Sequence, residues 1–313
     1  MITLLEPPRP AGLISGGFRY QEQITAALGT DARRETVRPE HLHQHARTLQ
    51  EAAPGLTLVV DGWFAELTAR PFPAGVIPLL HTQPKLAGWA ADVRRAIATG
   101  ASTAAAARAS VDAVALVRPG VDDCFTPRAR AGDDTPAVIC AGTMTEAKGQ
   151  RRLLAALRGA ALPWRLTLVG STSAAPQAVE ALRREALGAP VTIREAVEPT
   201  ALAELYAEHD LFATLSASES YGMAAAEAAA AGLPLLGLDT GELRSFGDED
   251  ARTILPIDAT DDVVASALRQ LLARPHALRA KRATRAKRAT RATRPGSRRT
   301  WRCAATEFAA ACR

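Results

Sequence analysis

The sequence predicts two open α/β units, each built on a parallel sheet, and three observations carry that expectation. Short β-rich runs alternate with helix-length stretches almost throughout, the pattern of strands joined by crossover helices. At 313 residues the chain exceeds the range of one ordinary core, so two domains are expected. Near the middle, "PGVDDCFTPRARAGDDTP" (119–136) is dense in proline, glycine and charge and reads as interdomain linker.

In the first half the expected strands are "ITLLE" (2–6), "LTLVVDG" (56–62), "VIPLLHT" (76–82) and "AVALVRP" (113–119). Between the first two, "GGFRYQEQITAAL" reads as a glycine turn followed by a helix. The second half repeats the rhythm with "AVICAG" (137–142), "RLTLVGS" (165–171), "VTIREA" (191–196), "DLFATLS" (210–216) and "LPLLGLD" (233–239), each separated from the next by a helix-length segment. Two such domains in tandem are expected to leave a cleft between them, with ligands beyond the carboxyl ends of the strands. The expected division is a first domain over 1–125, a linker over 126–136, a second domain over 137–299 and a terminal helix over 300–313.

Composition narrows the class. Nearly half of the residues are hydrophobic and no apolar run reaches the roughly 18 residues of a spanning helix, so a cytoplasmic protein is expected. Cys124, Cys140, Cys303 and Cys312 have neither metal-ligand spacing nor a paired motif and read as free thiols. The net charge of +5 hides an asymmetry, because residues 274–302 hold twelve Lys or Arg and no acid. The remainder is net acidic, which argues against a nucleic-acid reader with its basic footprint on the fold. Within the basic segment (274–299), arginine recurs at every third position from Arg279 to Arg294. A period of three drifts round a helix and makes no single face. The plain expectation is a solvated helix or coil ending at Pro295; the alternative is peripheral contact with an anionic membrane at the inner surface.

Candidate site residues cluster at strand ends. Lys148 and Gly149 follow "AVICAG" at a helix start, where a mobile cation joins exposed backbone N–H groups, a combination suited to a diphosphate. Gly170 and Ser171 close the next strand, and a glycine there lets a ligand approach the backbone. After "DLFATLS" comes "ESYGMAAAEAAAAGLP" (219–234). Its helix is expected to start near Gly222 or Met223 and to stop at Gly232. Glu227 then lies about one turn inside the helix, where a carboxylate can accept from ribose hydroxyls, while Glu219 sits in the loop before it, nearer a sugar or leaving group. Taken singly, each feature also fits an ordinary helix start carrying dipole-favoured charges.

Together these segments resemble the family-4 retaining glycosyltransferases. The likeness rests on "ESYGMAAAEAAAAGLP", "GTMTEAKGQRRLLAAL", "PWRLTLVGS", "ALAELYAEHDLFATLS", the glycine-rich "SGGFRY", the hinge-like "VRPGVD" and the final "TWRCAATEFAAACR". The resemblance implies a GT-B architecture, in which two Rossmann-like domains face each other across a cleft and the C-terminal helix packs back toward the first. It implies transfer of a hexosyl group from a nucleotide diphosphate sugar, UDP- or GDP-linked, to a sugar, lipid-linked or small-molecule acceptor, with retention and without a metal or bound cofactor. Lys148, Glu219 and His81 would be catalytic, His81 bordering the donor sugar. Gly16, Gly17, Gly170, Ser171, Tyr221, Gly222, Met223 and Glu227 would bind the donor. Two positions depart from the family pattern: Thr143 stands where many relatives carry arginine, and Glu195 where glycine often meets the base. Glu195 leaves the base open, and the two departures with a short first domain suggest the alternative of a degenerate binding subunit; an epimerase or phosphorylase on the same fold is the rival among enzymes.

Overall fold

The computed structural model describes residues 1–10, 15–82, 84–128, 130, 135–291 and 299–313, the side chains of 281 and 285–291 aside. The chain divides into two compact units, one of Met1–Pro10, Gly16–Gly120 and Arg299–Arg313, the other chiefly of Val121–Arg298.

The first unit is built on β1 (Ile2–Glu6), α1 (Gly16–Leu28), β2 (Ala32–Thr36), α2 (Leu42–Ala52), β3 (Thr57–Asp61), α3 (Trp63–Thr68), β4 (Ile77–Leu80), β5 (Arg95–Ala98), α4 (Ala101–Ala107) and β6 (Ala113–Leu116). Its six strands are ordered β2-β1-β3-β4-β5-β6, and the paired strands run parallel. The interior strands β1, β3 and β4 are buried along almost their whole length, as runs covered on both faces must be. Gly16 and Gly17 do not form a turn. They are the first residues of α1, because the chain enters the helix immediately after Ser15.

The second unit holds β7 (Ala137–Ala141), α5 (Gln150–Gly159), β8 (Arg165–Val169), α6 (Pro176–Ala186), β9 (Val191–Arg194), α7 (Pro199–Ala207), β10 (Leu211–Thr214), α8 (Met223–Ala230), β11 (Leu235–Leu238), β12 (Arg252–Leu255), α9 (Asp261–Leu272) and α10 (Pro275–Arg291). Its order is β12-β11-β10-β7-β8-β9, again with parallel pairing. Strands β7, β8 and β9 grow to one side and β10, β11 and β12 to the other. The strand order therefore reverses between β7 and β10, and a crevice opens there at the carboxyl ends.

The final helix α11 (Trp301–Cys312) returns to the first unit. It packs along α1, with Tyr20 edge-on to Trp301 at 5.9 Å and 6.4 Å from Phe308 between ring centroids. A Cβ on Gly120 would lie 2.3 Å from the Trp301 nitrogen, so the helix start and the Pro-Gly segment touch backbone to backbone. The GT-B expectation of two Rossmann-like domains with a returning last helix is met.

Two expectations need correction. The stretch read as linker contributes to packing in the second unit: Phe125 is fully buried and its ring lies 5.8 Å from that of Tyr206. The basic segment is not simply solvated either. It is helical over Pro275–Arg291, and Arg282 is 1% exposed. Arg279 Nε donates to Asp210 Oδ1 at 2.9 Å, and Arg282 donates to the carbonyls of Arg128 and His209. A guanidinium enters the interior only where acceptors await it, and these two find theirs just before β10 and at the Arg128 carbonyl. The rest of the repeat, including Arg294 and Pro295, lies outside the described residues. No helix among the described residues is long and apolar enough to cross a membrane.

Candidate functional site

At the carboxyl end of β7 the chain passes through Gly142 and Thr143 into a single 3-10 turn, Glu146–Lys148, before α5. Gly149 caps that helix at a φ of +71°, and a Cβ on it would lie 2.3 Å from the Leu215 carbonyl oxygen. Only glycine meets both demands, so this residue brings the Lys148 turn against the end of β10. The contact is fastened by Ala217 N donating to the Ala147 carbonyl at 2.8 Å, and Ser216 Oγ donates to the Ser218 carbonyl at 2.9 Å. As a result Lys148 and Glu219, 71 residues apart, meet: Lys148 Nζ donates to Glu219 Oε1 at 2.6 Å. Their side chains remain 30% and 22% exposed, so the pair stands at the surface of the crevice.

Helix α8 begins beside that loop. Gly222 is its N-cap at a φ of +99°, and Met223 is its first residue. Tyr221 is buried, with its ring 5.0 Å from that of Phe246, and its carbonyl accepts from Glu242 N at 2.9 Å. The first N–H groups of α8 therefore emerge between the Glu219 loop and the Tyr221–Glu242 contact, at the positive end of the helix. Glu227 is 2% exposed within α8, among the buried Ala225, Ala226 and Ala228. A carboxylate is costly to bury unless its oxygens are satisfied, so its place in this helix is a specific one.

Gly170 and Ser171 stand at the end of β8. A Cβ on Gly170 would lie 1.9 Å from the Gly142 carbonyl oxygen, so glycine is required here by the neighbouring turn of this chain, whatever else approaches. Ser171 is buried; its carbonyl accepts from Met144 N at 3.0 Å, and its Oγ is 3.0 Å from Ser173 Oγ. The Thr143 carbonyl accepts from Gln150 Nε2 at 3.1 Å. The arginines near Thr143 are committed elsewhere: Arg151 to Glu185 and Glu146, Arg152 to Asp261 and the Ala259 carbonyl. Glu195 accepts from the Thr172 hydroxyl, which holds its carboxyl below the usual range.

The first unit gathers a smaller group. Gly17 and His81 are in close contact, since a Cβ on Gly17 would lie 2.9 Å from the His81 ring. The imidazole stands edge-on to Tyr20 at 5.4 Å, with Thr99 Oγ1 3.4 Å from its Nδ1. Desolvation lowers the His81 pKa, against the opposing charge of Asp61, and so favours the neutral ring. Asp61, unremarked in the sequence, is buried at the end of β3 and accepts from Trp63 N at 2.7 Å and from Gln21 Nε2. An acid closing an apolar strand is the signal that marks it. Of the expected residues, Lys148 and Glu219 meet in the second unit and Gly17 and His81 in the first; Tyr221, Gly222 and Met223 follow Glu219 at the start of α8, Glu227 is buried within that helix, and Gly170 and Ser171 stand at the end of β8.

Residues 135–274, which include these second-unit residues, match the family model Glycosyl transferases group 1. A D-inositol 3-phosphate glycosyltransferase of Xylanimonas cellulosilytica is 35% identical over 187 residues, 53% of this chain and 44% of that protein. A second protein of the same description, from Segniliparus rotundus, is 33% identical over 53% of this chain and 40% of its own length. The match thus takes in less than half of the length of these relatives. Among solved structures, sucrose-phosphate synthase from Thermosynechococcus elongatus superposes with a TM-score of 0.73 at 18% identity, covering 99% of this chain and 97% of that one. HepE from Anabaena, solved with UDP-glucose, gives 0.71 at 14% identity, covering 99% and 98%.

Proposed function

From the premise of a chain with the GT-B fold that resembles the family-4 glycosyltransferases, we propose that it transfers a hexosyl group from a nucleotide diphosphate sugar to an alcohol acceptor, with retention and without a metal. The observation that carries this is the meeting of Lys148, Glu219 and the start of α8 at the point where the second sheet reverses its strand order. That is where a parallel sheet receives a phosphorylated ligand. The likeness to HepE, solved with UDP-glucose, and the match to Glycosyl transferases group 1 support a nucleotide sugar as donor.

In this reading the bond between the sugar and the diphosphate breaks with its electron pair leaving on the phosphate oxygen. The Lys148 ammonium and the first N–H groups of α8 stabilise that developing charge, the electrostatic role that a metal fills elsewhere. Glu227 accepts hydrogen bonds from the ribose. Glu219 borders the sugar, whose anomeric carbon becomes oxocarbenium-like, while the acceptor hydroxyl adds to it from the face that the diphosphate leaves and passes its proton to the departing phosphate oxygen. The acceptor proposed is a polyol or sugar, the class suggested by the relatives described as acting on an inositol phosphate.

Calorimetric titration and thermal-shift screening with UDP-, GDP-, ADP- and TDP-sugars test the donor, because a ligand that binds only the folded chain raises its stability. Glu227→Ala is expected to weaken the best donor by about tenfold or more. Lys148→Ala is expected to slow transfer by about 100-fold. Donor affinity and turnover unchanged in both variants would overturn the site, and an inverted anomer in the product spectrum would overturn retention.

A further inference from the structure

The Lys148 ammonium, assigned above to the donor diphosphate, is hydrogen-bonded in this structure to a carboxylate of its own chain. We infer that Glu219 is an exchangeable counter-anion for Lys148 and sets how tightly the site holds a diphosphate, so that it discriminates donor from spent nucleotide. The inference rests on the donor reading and goes beyond it.

Several observations make the pair a built feature. The Lys148–Glu219 distance is 2.6 Å, with both groups partly buried. Neither side chain arrives there by reach alone. The Lys148 turn is pressed onto β10 through Gly149 and Ala147. The Glu219 backbone is held from the other side, where a Cβ on Gly241 would lie 2.9 Å from Glu219 Cβ and 2.7 Å from the Tyr221 carbonyl oxygen. Glu219 is thus fixed between two turns with its carboxylate on the lysine.

An incoming diphosphate oxygen either displaces that carboxylate or shares the ammonium with it. Displacement costs the existing pair, and sharing sets two anions side by side. Either way affinity for an anion is held down, and more so as the ligand's charge rises. A sugar-linked nucleotide carries about two negative charges on its diphosphate, whereas the released nucleoside diphosphate carries about three, its terminal phosphate being free to ionise. Glu219 therefore disfavours the spent nucleotide more than the donor, and it can return to Lys148 as that nucleotide leaves.

The test is calorimetric titration of UDP, GDP and their glucose conjugates into wild type, Glu219→Gln and Lys148→Ala, each first checked for an unchanged melting temperature. Glutamine keeps the shape and removes the charge. Glu219→Gln is expected to bind the free nucleotide about five-fold more tightly, the scale of a partly exposed ion pair. Its gain for the glucose conjugate should be smaller, because the conjugate carries one negative charge fewer; an equal gain for both refutes the discrimination. If Lys148→Ala weakens the nucleotide while Glu219→Gln leaves it unchanged or weaker, the exchange is refuted and the donor site stands. If Lys148→Ala has no effect on a nucleotide that wild type binds, or if wild type binds neither these compounds nor any nucleotide sugar of the thermal-shift screen, the donor reading fails and the exchange fails with it. A Glu219→Gln variant that no longer melts like wild type is replaced by Glu219→Asp, whose shorter carboxylate should give a gain between those of wild type and glutamine; no gain there refutes the exchange too.

Discussion

Asp210→Asn is expected to destabilise the second unit more than any other single isosteric change in it. The Asp210 side chain is fully buried between Arg130 and Arg279, and its Oδ2 also accepts from Ala137 N at 2.9 Å. An asparagine fills the same space but brings an N–H₂ where three donors converge, and it leaves two guanidiniums without their counter-charge. Breaking a buried pair in this way costs about 3–5 kcal/mol. For a unit of this size each kcal/mol shifts the midpoint by roughly 2–4 °C, so the second unit should melt roughly 6–20 °C lower. Scanning calorimetry at pH 7 reads this directly. The pH dependence supplies an independent check. Burial alone would raise the Asp210 pKa, but Arg130 and Arg279 outweigh it and hold the group below its ordinary value of 3.8. A group lowered on folding contributes its stability above the unfolded pKa and loses it as pH falls through the folded one. The gap between wild type and variant should therefore be full from about pH 5 upward and should narrow below about pH 4. A variant melting within a degree of wild type at pH 7, or a gap unchanged down to pH 2, would refute the reasoning.

Two further substitutions probe the turns and the returning helix. Gly170→Ala sets a methyl 1.9 Å from the Gly142 carbonyl oxygen; the backbone has to move, so a loss of about 1–3 kcal/mol should appear in denaturant titration, together with reduced donor affinity. Phe308→Ala removes a fully buried ring from the face of α11 against Tyr20, and about 3–5 kcal/mol should be lost from the first unit alone, seen as a shift in one calorimetric transition and not in the other.

Most strands were legible because their interiors are continuous apolar runs. Those that were not have physical reasons. β2, "ARRET", and β12, "RTIL", lie at sheet edges, where one neighbour suffices and exposed polar residues are tolerated. β5, "RAIA", is interior but short, and alanine carries little strand signal. In the site, the helix start at Met223 and its stop before Gly232 were readable from local chemistry. The Lys148–Glu219 contact was not, since it joins residues 71 apart through a glycine whose necessity lies in the Leu215 carbonyl. The roles of Arg279 and Arg282 were hidden by their repeat: their acceptors, Asp210 and the His209 carbonyl, stand about 70 residues earlier, before an apolar strand.

The return of α11 to the first unit makes the second unit an insertion within the first, and this sets an order in time. During synthesis the β7–β12 sheet can close as soon as its own residues have emerged. Tyr20 and the rest of α1, made long before, lack Trp301 and Phe308 until the far end of the insertion has passed the ribosome. The usual precedence of N-terminal over later domains is thus inverted: the half of the molecule made first completes its core last.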